Sequence, residues 1–265
     1  MKISIITATY NCENTIERTI RSVLNQKEKD IEYIVVDGRS TDNTIPIVKK
    51  YASLYRNLLW ISEPDLGIYD ALNKGVQMAS GKYVNVIGAD DEFLSDDVLR
   101  KIKLDLEDNV DFLSAPVIAV NNKLCIEKIF SNENHIMMPH QGVFVKRKLL
   151  LNHPFDLTYS VSADSEFILS CLFDDSISKK IVTYPITYYA LGGFSSNVEK
   201  MKKDWLRICN KYRISQIDTP ANVCLIEAKI KDKIRNILSR FSIFKYVYIF
   251  KGWNEHISFF ENNIK

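Results

Sequence analysis

Apolar positions along the first hundred residues follow two alternating rhythms. Ile3 to Ala8 form a near-continuous apolar run, the pattern of a strand covered on both faces. Ile16, Ile20, Val23 and Leu24 then recur at helical spacing, after polar residues from Asn11 to Asn14 suited to capping. Ile31 to Val36 reads as a second strand, closed by Asp37-Gly38. Ser40-Thr41-Asp42 then offers caps for a helix running through Val48 and Tyr51. Leu58 to Ile61 predicts a third strand, Tyr69 to Ala79 a helix, and Lys82 to Ile87 a fourth strand. This alternation predicts a mostly parallel α/β sheet with helices on both faces.

Beyond about residue 110 the rhythm changes. Phe112 to Val120 and Leu124 to Phe130 flank Asn121-Asn122 and predict an antiparallel hairpin. Gly142 to Val145 reads as a strand, Ala163 to Phe173 as a helix, and Ile181 to Leu191 as strand-like. From Glu199 onward the pattern is helical and basic. No internal repeat or low-complexity linker divides the chain. The expected organisation is an α/β domain over residues 1–198 and a helical extension over 199–265.

Composition narrows the class. With 265 residues, 46% hydrophobic and 26% charged, the chain can bury a sizeable core, which excludes disordered, collagenous and disulfide-framework classes. No run approaches the roughly 18 apolar residues of a membrane span. The short apolar run after Lys2 does not read as a secretory signal, so a cytoplasmic location is expected. Cys12, Cys125, Cys171, Cys209 and Cys224 form no CxxC pair and read as idle thiols in a reducing compartment.

The net charge of +2 hides an asymmetry. Residues 199–251 hold thirteen Lys or Arg against five Asp or Glu, an excess of eight, so the rest carries −6. A basic tail with interleaved Phe, Tyr, Ile and Trp253 fits attachment to an anionic membrane surface. The plain alternative is a solvated helical face. The apolar tail residues would serve a homo-oligomer interface equally well. Nucleic acid is the weakest partner, because no recognised binding motif accompanies the charge.

Polar residues punctuate the carboxyl ends of the predicted strands, where open α/β sheets bind ligands. The first strand ends in Thr7-Ala8-Thr9-Tyr10-Asn11, the second in Asp37-Gly38-Arg39-Ser40, the third in Glu63-Pro64-Asp65, and the fourth in Gly88-Ala89-Asp90-Asp91. One cleft built from all four ends is the economical reading, against helix caps taken one at a time. Asp90 and Asp91 would repel each other unless a cation or hydrogen-bond donors offset the charge. Oxygen-only ligands favour a hard divalent ion, Mg2+ or Mn2+.

Several of these stretches resemble the family 2 glycosyltransferases. The resemblance rests on Thr7 to Asn11, Ser22-Val23-Leu24-Asn25-Gln26, Val35 to Asp42, Glu63 to Gly75 and Ala79 to Tyr83, in order over residues 1–100 and more thinly to about 195. It implies a GT-A fold, Rossmann-like with an antiparallel acceptor-side portion, that binds a nucleotide-sugar and inverts the anomeric centre. On that resemblance Ala8 and Tyr10 line the nucleoside pocket, Asp37 accepts from a uracil N–H, and Asp65 and Asp70 lie along the nucleotide edge. Asp90 and Asp91 match the region that holds ribose, metal and diphosphate. Gly88 departs from the pattern, standing where relatives carry an earlier carboxylate.

An inverting transfer also needs a base for the acceptor hydroxyl. Ser162 to Phe167 resembles the family segment that supplies it, which points to Asp164, with Glu166 as alternate; Asp164 as a helix cap is the plain reading. His140-Gln141 falls where relatives carry such a pair near the acceptor. Gly192-Gly193-Phe194-Ser195 resembles a flap beyond the base, although an ordinary turn explains it equally well. The expected activity is transfer from a UDP-sugar to a saccharide, lipid-linked in O-antigen or capsule (lipopolysaccharide-type) synthesis, at the inner face of the membrane. Two rivals stand beside it. A nicotinamide-type α/β enzyme should carry GxGxxG, which Thr9-Tyr10-Asn11-Cys12 lacks. A catalytically silent sugar-nucleotide-binding or membrane-scaffold protein would keep the cleft and tolerate loss of Asp164.

Overall fold

The computed structural model describes residues 2–106, 109–120, 126–130, 138–190 and 197–213. A first compact unit spans residues 1–222, and a second, 223–265, lies outside the described residues. The tail beyond Arg213, the Asn121-Asn122 turn, the Gly192–Ser195 loop, Cys125, Cys224 and Trp253 lie outside them too.

The predicted βα alternation forms as read. It comprises β1 (Ile3–Thr9), α1 (Ile16–Leu24), β2 (Ile31–Asp37), α2 (Thr44–Leu54), β3 (Leu58–Ser62), α3 (Ile68–Met78) and β4 (Tyr83–Val86). β1 pairs in parallel with both β2 and β4, and β2 with β3. The apolar run of β1 has two destinations because successive side chains alternate across a strand. Ile3 and Ile5 join Ile16, Ile20 and Val23 of α1 in one core cluster. Ile6 joins Tyr69, Leu72 and Val76 of α3 in the other. Each fully buried Ile or Val of this kind contributes about 1.5–3 kcal/mol.

Next come β5 (Glu92–Phe93), α4 (Val98–Asp105), β6 (Phe112–Ser114), β7 (Val117–Val120) and β8 (Ile126–Phe130). A 3-10 turn at His140–Gly142 leads into β9 (Val143–Lys146), then α5 (Arg147–Asn152), α6 (Ala163–Phe173), β10 (Lys179–Ile181), β11 (Thr187–Ala190) and α7 (Val198–Tyr212). The main sheet runs β10-β6-β9-β4-β1-β2-β3, with β9 antiparallel to β4 and β6. A second sheet runs β5-β11-β7-β8. The predicted hairpin is present as the antiparallel β7–β8 pair.

Two runs read as single strands are each divided between the sheets. Phe112 to Val120 breaks at Ala115-Pro116, and Ile181 to Leu191 breaks around Pro185. Proline lacks the N–H that a continuous ladder needs. α7, the first part of the expected extension, buries Trp205, Ile208 and Cys209 in the core cluster that holds Phe167 and Ile168 of α6. The packed body therefore includes this helix. Cys171 and Cys209 are buried free thiols, and burial pushes Cys171 up to about 12, as expected of idle cysteines.

Candidate active site

The carboxyl ends of β1, β2, β3 and β4 meet on one rim of the sheet, which places the predicted polar residues together. Their environments differ. Asp37 is 0% exposed. It accepts from Thr9 Oγ1 at 3.0 Å, Ser40 N at 2.9 Å and Ser62 Oγ at 2.7 Å, and from Ser40 Oγ. Asn11 Oδ1 accepts from Thr41 N at 2.9 Å, while Asn11 N donates to Ser40 Oγ at 2.8 Å. Asn11 and Arg39 both have positive φ, 53° and 63°, so this rim is held in a conformation that costs energy away from glycine. The Asp37 carboxylate is thus consumed in knitting the β1 and β2 ends, and the structure does not bring it to the cleft surface.

Around this knot lie the other donor-side candidates. Ala8 is half-buried, and Tyr10 is 62% exposed at the mouth of the rim. Asp65 lies against Gly38, where an added Cβ would sit 2.4 Å from Asp65 Oδ2 and push that carboxylate aside. Asp65 Oδ1 accepts from Gly67 N at 2.9 Å. Asp70 accepts from Leu66 N at 3.0 Å and pairs with Lys74 at 3.2 Å, fixing the turn into α3.

Asp90 and Asp91 are neighbours in sequence with opposite surroundings. Asp91 is 1% exposed. Its Oδ2 accepts from Gly88 N at 3.0 Å and Gln141 Nε2 at 2.8 Å, and its Oδ1 from Ala190 N at 2.8 Å. Burial and the adjacent Asp90 charge push its carboxyl up to about 6. Asp90 is half-buried, and no other residue donates to its carboxylate among the described residues. Burial raises its pKa, with Arg18 and His140 the cations that oppose the shift. Gly88 makes the pair possible: a Cβ there would lie 2.5 Å from Asp91 Oδ2 and 3.0 Å from Asp90 Oδ1. A side chain at position 88 would therefore displace the two carboxylates from where they stand here.

The opposite wall comes from the second half of the chain. Asp164, in the first turn of α6, accepts from Tyr69 OH at 2.9 Å and lies 2.7 Å from His140 Nδ1. Burial would raise the Asp164 carboxyl, but the His140 hydrogen bond and charge outweigh it, and the pKa falls. For His140 burial acts downward, while Asp164, Asp91 and Asp90 together raise it. One three-residue turn thus serves both walls, with His140 on Asp164 and Gln141 on Asp91.

Glu166, the alternate base, is not brought to the cleft. It is 0% exposed and bonded to Lys211 Nζ at 2.6 Å, Tyr212 OH at 2.8 Å and His153 Nε2 at 3.2 Å, which ties α6 to α7. Sequence reasoning gave no role to Tyr69 or to the amide of Gln141. Their contacts join positions 95 and 50 residues apart, which no local pattern reports.

A divalent ion suits the donor set here. No group of three or more His, Cys, Asp or Glu is set out to hold a metal among the described residues. An ion held by one carboxylate and completed by substrate phosphates and water needs no such group. Asp90, half-buried and with no other described residue donating to it, is a carboxylate that fits such an arrangement.

Comparison with known proteins fits this architecture. The glycosyl transferase family 2 model matches residues 4–165. A PGL/p-HBAD biosynthesis glycosyltransferase of Mycobacterium tuberculosis is 28% identical over 212 residues, covering 77% of this chain and 82% of the relative. The Escherichia coli UDP-Glc:alpha-D-GlcNAc-diphosphoundecaprenol beta-1,3-glucosyltransferase WfgD is 28% identical over 213 residues, covering 77% and 83%. Among solved structures, S. aureus TarS 1-349 in complex with UDP-GlcNAc aligns with a TM-score of 0.63 at 21% identity, over 79% of this chain and 67% of that one. The mannosyltransferase PcManGT of Pyrobaculum calidifontis, in complex with GDP-Man and Mn2+, aligns at 0.63 and 18% identity, over 86% and 68%. The fold is the GT-A fold of nucleotide-sugar enzymes. The chain belongs to glycosyl transferase family 2 and is a glycosyltransferase.

Proposed function

We propose that the protein is an inverting, metal-dependent transferase that moves a sugar from a UDP-sugar to a saccharide acceptor carried on a lipid diphosphate. The observation that carries this reading is Asp90, a half-buried carboxylate to which no other described residue donates, whose charge acts on His140, the partner of a second carboxylate, Asp164, held by two donors. Tyr10, Ala8 and Asp65 form the nucleoside edge, and Asp37 and Asp70 act beneath it by fixing the loops. Asp90 holds the Mg2+ or Mn2+ ion. Asp91 sets the backbone around it, because its own oxygens are already engaged. When bound, the ion would neutralise the departing diphosphate. The Asp164 side accepts the proton as the acceptor oxygen attacks the anomeric carbon from the opposite face.

The acceptor class rests on likeness: WfgD, by its name, acts on a sugar joined to diphosphoundecaprenol. It also rests on the basic, aromatic-rich composition of 199–265, which suits the anionic inner surface where such lipids are presented. O-antigen or capsule assembly is the corresponding setting. No described helix is long and apolar enough to cross a membrane. The test is release of nucleotide from a panel of UDP- and GDP-sugars, with GlcNAc-diphosphoundecaprenol in anionic vesicles as acceptor. Turnover with a UDP-sugar that depends on Mn2+ and on the lipid acceptor is expected. Turnover with GDP-sugars alone, or undiminished by a metal chelator, would contradict it.

A further inference from the structure

The Asp164 carboxylate is held at both of its oxygens. Oδ1 accepts from Tyr69 OH and Oδ2 is engaged by His140 Nδ1. Its side chain is 18% exposed, whereas that of His140 is 27% exposed. Behind the pair lies an apolar recess lined by Val86, Val143, Phe155 and Phe167. There the carboxylate–imidazole attraction is stronger than in water. A ring that gives Nδ1–H to a carboxylate has its tautomer fixed, with the Nε2 lone pair pointing the other way. Among the described residues Nε2 makes no hydrogen bond. The charges of Asp90 and Asp91 act on the same ring, so it lies within electrostatic reach of both carboxylate groups.

We infer that the proton acceptor for the incoming hydroxyl is His140 Nε2, with Asp164 as the residue that orients and charges it. This deepens the proposed transferase reading and rests on it. As the acceptor oxygen bonds to the anomeric carbon, its proton passes to Nε2. The bond from that carbon to the diphosphate breaks, and its electron pair leaves on the phosphate oxygen. The imidazolium that results is stabilised by Asp164, which stays ionised, and later gives its proton to solvent. This division of labour is that of a carboxylate–histidine pair acting on a hydroxyl nucleophile. The raised pKa of His140 is consistent with a stronger base than a free imidazole.

The test uses the full chain with Mn2+ and a UDP-sugar. Water serves as the acceptor, nucleotide release gives the rate, and UDP affinity is followed by calorimetry. His140→Asn keeps an N–H toward Asp164 and removes the basic nitrogen; His140→Ala removes both and leaves room for added imidazole. Each variant is expected to lose about 100-fold or more in release while holding UDP within about threefold, and imidazole should restore His140→Ala at least about tenfold. Asp164→Asn should also lose about 100-fold or more, because an amide no longer fixes the ring with Nε2 free or stabilises the imidazolium. A His140→Asn enzyme within about threefold of wild type, beside a dead Asp164→Asn, would assign the proton to Asp164 directly and overturn the inference while leaving the transferase reading intact. Failure of imidazole rescue with UDP affinity preserved would overturn it as well. A wild-type chain that binds no UDP and releases none would overturn both.

Discussion

The part of the rim at the ends of β1 to β3 and the part beyond β4, beside the His140–Asp164 pair, carry the same kinds of residue and use them in opposite ways. On the first, Asp37 is enclosed and satisfied by Thr9, Ser40 and Ser62, and Asp70 is spent on Leu66 and Lys74. On the second, no other described residue donates to Asp90, and Asp164 is held by Tyr69 and His140. The difference teaches that an acid at a strand end builds when the loop supplies its donors and is open to a ligand when it does not. Asp91 brings the contrast down to adjacent residues, with three donors on one carboxylate and none from other residues on the next.

Removing a builder should cost stability, whereas removing an open group should cost binding or rate. The largest stability effect is expected for Asp37→Ala, which leaves the buried Thr9 hydroxyl and the half-buried hydroxyl and amide of Ser40 without their acceptor. It should destabilise by about 2–4 kcal/mol in denaturant melts. A loss below about 0.5 kcal/mol would mean the rim is not built on this carboxylate. Asp91→Ala should follow at about 2–3 kcal/mol, because relief of a desolvated charge offsets part of the loss of three hydrogen bonds.

Glu32, far from both parts of the rim, supplies the pH test of a building acid. It is paired with Lys2 at 2.7 Å and bonded to Ser4, Ser80 and Gly81. Burial alone would raise its pKa, yet Lys2, Ser4 and Ser80 bring it down to about 2. A depressed folded-state pKa contributes stability that is present above the ordinary glutamate range and lost as pH falls toward about 2. Glu32→Gln should lower stability at pH 7 by about 1–2 kcal/mol and flatten the acid limb across that window. An unchanged acid limb would remove Glu32 from the account.

Much of the fold was legible in the sequence, because β1, β2 and β4 are buried on both faces and α1 on one, and periodicity reports burial directly. The two divided runs were legible in part, since Pro116 and Pro185 mark where a ladder must stop. At the site, the residues that gather on the rim could be read from strand-end chemistry and from likeness to the family. Which of them remain open could not. That depends on donors arriving from distant positions, such as Gln141 onto Asp91, Ser62 onto Asp37 and Tyr69 onto Asp164. A pair such as Asp90-Asp91 presents two like acids in sequence, and only the packing of β11 and of the turn before β9 separates them.

Asp90 is the carboxylate proposed to be left open for metal and nucleotide. Calorimetric titration with UDP, with and without Mn2+, on wild type and Asp90→Ala tests it most directly. UDP binding to the wild type is expected to depend on Mn2+. A loss of about 100-fold or more is expected in Asp90→Ala, with no loss of thermal stability, since no hydrogen bond from another residue is broken. Binding that ignores Mn2+, or an Asp90→Ala variant that binds UDP as wild type does, would contradict it.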